Sequence, residues 1–147
     1  MPQPFSVCVL RWSDASALAR PVRETVFVNE QAVPLDMEWD EWDVQSDHAV
    51  ALDSAGKAIG TGRLLPEGRI GRMAVLKEWR GQGVGAAVLR SLLERALQRG
   101  MRRVTLHAQK QAVGFYLRFG FSARGEEFSE AGIPHLEMTL ELSPQAG

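Results

Sequence analysis

Six residues, RGQGVG at 80–85, stand directly before the most regular stretch of the chain. From Val84 onward apolar residues recur at helical spacing. Val88, Leu92 and Ala96, with Leu89, Leu93 and Leu97 beside them, make one stripe, and Gly100 follows as a helix stop. Three glycines at the start of such a helix are unfavourable, because glycine gives up more backbone freedom on becoming helical than any other residue. Such a cluster suggests that something approaches the backbone closely. The options are a tight turn without a ligand, a nucleotide phosphate site, or a site for another phosphate-bearing cofactor.

The surroundings of the glycines separate these options. No GxxxxGK[ST] string exists, which removes the P-loop. Gly81, Gly83 and Ala86 do satisfy G-x-G-x-x-A. That dinucleotide fingerprint also needs a strand running straight into the glycines and an acidic residue at the end of the next strand. Here residues 77–80 intervene, and the strand after the helix ends near His107. The chemistry that survives is a pyrophosphate cradle, in which amides converge at a helix N-terminus and Arg80 adds a charged donor. A glycine-rich helix entry with a solvated arginine is the alternative.

The remaining pattern predicts one mixed α+β domain over 1–147. A first strand covers 5–12, and Ser13 is the expected N-cap of a helix from Ala15 to Val28, kinked or restarted at Pro21 and closed off by Pro34. Residues 36–47 hold six carboxylates and two tryptophans and read as loop or a short helical turn. Strands at 48–53 and 58–66 form a hairpin, with a third from Ile70 to Leu76. After the long helix come a strand at 102–108, a short helix over 111–119 ending at Gly120, and two last strands at 121–124 and 135–142.

Charge excludes some partners. The net charge is −1, so neither nucleic acid nor a membrane surface has a general electrostatic claim on the chain. The halves differ: residues 1–75 carry 7 Lys/Arg against 11 Asp/Glu, and residues 76–147 carry 10 against 7. Cys8 is the only cysteine, which rules out an intramolecular disulfide and a cysteine metal cluster. The start lacks the features of a signal peptide, no apolar run approaches the ~20 residues of a membrane span, and a cytoplasmic protein is expected.

MAVLKEWRGQGVGAAVL, followed some thirty residues later by QKQAVGFYLRFGF, resembles the GNAT acyltransferases, which use acetyl-CoA. Arg80, Gly83 and Gly85 match the family pattern [RQ]-x-x-G-x-[GA]. Ala112, Tyr116, Gly120 and Phe121 match its second signature, with Gln109 where asparagine is common. VRETVFVNEQAVPLDMEWDEWDVQSDHAV and GIPHLEM look like the ElaA/YjcF-type branch. The resemblance covers roughly residues 5–142.

This resemblance implies a mixed, mostly antiparallel sheet of about six to seven strands, flanked by helices, with a splayed strand pair that binds acetyl-CoA. Main-chain groups of Met73, Ala74 and Val75 would hold the pantetheine arm. Arg80, Gly81, Gln82, Gly83, Val84 and Gly85 would hold the pyrophosphate, with Gln109 nearby. A neutral amine would attack the thioester directly, a backbone amide near Val75 would stabilise the oxyanion, and Tyr116 would protonate the leaving thiolate. Tyr116 as a plain packing residue is the alternative. His48, Glu126 and His135 are candidate bases, with Glu30, Glu38, His107 and a water chain also open. Glu30 and Gln31 fall where the family builds its acceptor pocket.

The acidic run at 36–47 either attracts a cationic amine or is a solvated loop. The three histidines lack metal-ligand spacing, so no metal is expected. The acceptor would be a small-molecule or peptide amine, with homodimerisation through the late strands open. A non-catalytic acyl-CoA-binding sensor of the same fold is the second reading.

Overall fold

The computed structural model describes residues 3–35 and 40–142. Seven strands form one sheet in the order β1-β2-β3-β4-β5-β7-β6. They are β1 (Phe5–Arg11), β2 (Asp47–Asp53), β3 (Ala58–Leu64), β4 (Arg69–Val75), β5 (Arg103–Gln109), β6 (Ser122–Glu130) and β7 (Ile133–Glu141). All neighbours are antiparallel except β4 and β5. The helices are α1 (Trp12–Arg23), α2 (Trp42–Gln45), α3 (Val84–Gln98) and α4 (Val113–Arg118). The expected mixed sheet flanked by helices is what the chain forms.

α1 starts one residue after β1, with Arg11 at the cap position and no side-chain capping bond. Ser13 therefore lies inside the helix rather than at its start. The helix runs through Pro21 and from Glu24 to Glu30 widens to π-helical spacing, a form often found at functional sites. That widened stretch brings Phe27 to the sheet's central cleft, with Gln31 just beyond it. Glu38, a candidate base, lies outside the described residues.

Strand parity assigns the two faces. Gly60 and Gly62 face α3 so closely that an added Cβ would lie 2.8 Å from Val84 Cγ1 at the first and 2.9 Å from Val88 Cγ1 at the second. Residues of opposite parity in β3 turn the other way. Arg63 thus reaches Asp43, which Arg23 of α1 also holds. α3 and α1 cover opposite faces, and Val50, Ile59, Leu89 and Leu92 between them are fully enclosed.

β6 is longer than the 121–124 stretch suggests. It extends to Glu130, with a register shift against β7 between Arg124 and Phe128. The charged sequence there hid the strand, because most of it faces solvent and has no apolar alternation to show.

Candidate functional site

β4 and β5 pair only at Arg69↔Thr105 and Ile70↔Leu106. Beyond that point β4 stays with β3 as far as Val75, and β5 stays with β7 as far as Gln109. The two strands therefore splay, leaving the β5-facing edge of β4 unpaired. Leu76 donates its amide to the Ile59 carbonyl at 2.9 Å. The amide and carbonyl of Val75, one residue earlier, accordingly project from the opposite edge into the splay. Arg80 Nε donates to that carbonyl at 3.0 Å, while Arg80 Nη2 pairs with Glu30 Oε1 at 2.7 Å.

The glycine turn follows. Gly81 and Gly83 have φ of 78° and 85°, the left-handed region that other residues enter at a cost. A Cβ on either would meet nothing within 4 Å. The first amide of this segment with a backbone acceptor is that of Ala87, which donates to Gly83 at 3.0 Å. Among the described residues the amides of Gly81 through Ala86 have no partner. Six free donors at the positive end of α3, with open space before them, fit a pyrophosphate. Gln82 turns its side chain back to the Glu78 carbonyl, and Val84 is buried beneath the turn.

A cleft of about 410 Å³ opens in the splay. Tyr116 lines it, as do Gln31, Met73, Gln109 and His135. Tyr116 is packed between Phe115 and Phe121, and burial pushes its phenol up to about 12. Among the described residues its hydroxyl has no hydrogen-bond partner, and the upward shift keeps it a protonated donor at neutral pH. Gln109 and Gln31 bond to each other, Gln109 Nε2 to Gln31 Oε1 at 2.8 Å.

Three candidate bases lie elsewhere. His48 is 1% exposed, packed against Trp12 with ring centroids 4.7 Å apart and the rings tilted by 39°, and donates Nε2 to the Asp43 carbonyl at 2.8 Å. Burial lowers its pKa, partly opposed by that carbonyl. It is a neutral packing residue outside the cleft, on the side α1 covers. Glu126 sits exposed in the irregular part of β6 and does not line the cleft. Glu30 is held by Arg80 rather than lining the cleft.

His135 is in the cleft, and sequence reasoning missed its neighbour Glu130. His107 Nδ1 donates to Glu130 Oε1 at 3.0 Å. His135 Nδ1 donates to the Ile133 carbonyl at 2.7 Å, leaving Nε2 facing Glu130 Oε2 at 3.6 Å. Equally unforeseen is the ion network under α1. Arg23 grips Asp43 with both terminal nitrogens, at 2.9 and 3.2 Å, and Arg63 Nη1 joins Asp43 to Asp40. Burial alone favours the neutral acid at Asp43, and the two guanidiniums override it and hold the carboxyl below its ordinary range.

A β4–β5 splay ending in a glycine turn with free amides is the architecture of an acyltransferase. Residues 15–142 match the sequence family described as "Acetyltransferase (GNAT) domain". "Uncharacterized N-acetyltransferase YjcF" of Bacillus subtilis is 43% identical over 121 residues, covering 80% of this chain and 86% of its own. An acyl-CoA N-acyltransferase structure from Pseudomonas aeruginosa superposes with a TM-score of 0.82 at 30% identity, covering 92% of this chain and 99% of its own. Escherichia coli ElaA gives a TM-score of 0.82 at 26% identity, with the same coverage. The chain belongs to the GNAT acetyltransferase family. Within it, the chain falls in the ElaA/YjcF-like branch.

Proposed function

We propose that the protein is an N-acetyltransferase that moves an acetyl group from acetyl-CoA to a primary amine of a small molecule or peptide by direct attack. The observation that carries this reading is the run of free amides from Gly81 to Ala86, joined by the open edge of β4 to the unpartnered Tyr116 hydroxyl. When bound, acetyl-CoA supplies an activated thioester carbonyl. The Gly81–Ala86 amides would hold its pyrophosphate, and the outward main-chain groups of Met73 and Val75 its pantetheine arm. The Val75 amide, aimed into the splay, stabilises negative charge developing on an oxygen there. Tyr116, protonated because it is buried, donates to the departing sulfur.

The attacking amine must be neutral, so a base is needed. This reading assigns His135 Nε2, whose other nitrogen is occupied by the Ile133 carbonyl. Glu130 Oε2 lies 3.6 Å from His135 Nε2. The cleft volume of about 410 Å³ supports a small acceptor or the end of a peptide.

The test is product formation. The purified chain is incubated with acetyl-CoA and a panel of primary amines, and each amine is weighed by mass spectrometry. The reading predicts one or more amines heavier by one acetyl group. No acetylated amine across small-molecule and peptide panels, at enzyme levels that bind acetyl-CoA, would contradict it.

A further inference from the structure

The cleft is chemically two-sided. On its β3–β4 side lie Arg63 and Arg69. Arg63 is 6% exposed, yet among the described residues it commits only Nη1, to Asp40 Oδ1 at 2.7 Å and Asp43 Oδ1 at 3.0 Å. Its Nε is buried and has no hydrogen-bond partner among the described residues. Folded proteins rarely leave a buried donor unmade without a functional reason. Nε and Nη2 share the guanidinium edge that meets a carboxylate or phosphate through two parallel N–H bonds. Arg69, on the adjacent strand, has no side-chain hydrogen bond or ion pair among the described residues.

Gly71 joins these two arginines. It stands directly across from Arg63 in the ladder and two residues from Arg69, so all three share one face of the sheet. A Cβ at Gly71 would meet nothing within 4 Å, which leaves open room on that face beside Gly71. Arg69 pairs across to Thr105, and His107 follows two residues later on that same face. The opposite wall is thus His107, Glu130 and His135, where a carboxylate lies beside an imidazole nitrogen that carries no proton in the neutral ring. One wall suits an anion, and the other suits an ammonium that must lose its proton.

We propose that the acceptor is a small amine that also bears an oxyanion, seated over Gly71 between Arg63 and Arg69 while its nitrogen faces Glu130 and His135. This rests on the acyl-transfer reading and adds the chemical class of the acceptor. The anion is a carboxylate or a phosphate, since a guanidinium edge takes either.

The test is calorimetric titration of the full chain, with CoA present, using three probes: 3-aminopropanoate, 2-aminoethyl phosphate and 3-aminopropanamide, which keeps the amine and lacks the anion. One of the anionic probes should bind about tenfold or more tighter than the amide, and which one does so names the anion. Arg69→Gln and Gly71→Val should each erase that margin while leaving CoA affinity unchanged. If the valine fails to fold, the glutamine carries the test alone. Equal affinity for the three probes, including no measurable binding of any, overturns the proposal, as does a margin that survives Arg69→Gln. Acetylated product is followed separately. An intact anion preference with no product from any amine would remove the transferase reading and keep the seat.

Discussion

Gln31 and Gln109 face each other as a two-way amide pair, with Gln109 Nε2 2.8 Å from Gln31 Oε1 and Gln31 Nε2 3.4 Å from Gln109 Oε1. One follows the widened end of the first helix and the other ends β5, so the pair ties the two walls of the cleft together. Neither residue's partner was foreseeable from spacing, since 78 positions separate them. Replacing either with alanine should cost about 1 kcal/mol of stability, and the double replacement should cost less than the sum. Urea unfolding of the four-member cycle measures the coupling, and strict additivity would contradict the pair.

The glycine turn separates folding from binding. Alanine at position 83 must adopt a φ near 85°, at about 1–2 kcal/mol, but its methyl meets no protein atom within 4 Å. The proposed occupant of that space is the pyrophosphate. Gly83→Ala should therefore lower the melting temperature by a few degrees and weaken acetyl-CoA binding about tenfold. Calorimetry reads both, and an unchanged dissociation constant would detach the glycines from the cofactor.

Asp43 is 2% exposed and is the shared counter-ion of Arg23 and Arg63. Asp43→Asn would remove the buried negative charge that Arg23 and Arg63 share, a loss of about 3–5 kcal/mol. Chemical unfolding tests this. A loss below about 1 kcal/mol would mean that the network behaves like an exposed ion pair.

His48 sets part of the acid sensitivity. Burial lowers its folded pKa below 6.5, so the unfolded chain takes up the proton first as pH falls. The stability it contributes is full above about pH 6.5 and declines as pH drops through that value toward the lower folded one. Stability measured at about pH 7.5 and about pH 5.5 should fall for the native chain and fall less for His48→Gln, which keeps a donor for the Asp43 carbonyl. An identical drop in both proteins would assign the sensitivity elsewhere.

The parts of this molecule that were readable in sequence are those whose signal is local. The α3 stripe and the glycines before it belong to one continuous stretch, and the second signature located Tyr116. What escaped depends on partners far apart in the chain. The solvent-facing β6 carries no apolar alternation, and α1 begins at Trp12 without a capping side chain. Arg80 reads as a cofactor donor, yet its guanidinium is shared between Glu30 and the Val75 carbonyl. His48 and His135 look alike in sequence, both on strands; only the packing of α1 makes one a core residue while the other lines the cleft. Glu130 gave no signal at all until the β6–β7 pairing brought it beside two histidines.

Acyl transfer with Tyr116 as the proton donor to sulfur is tested by free-thiol release from acetyl-CoA. Release is followed with and without each amine, on the native chain and on Tyr116→Phe. Release should depend on the amine and fall about a hundredfold in the variant while acetyl-CoA affinity stays the same. Acetyl-CoA bound without amine-dependent release, or release equal in the two proteins, would contradict it.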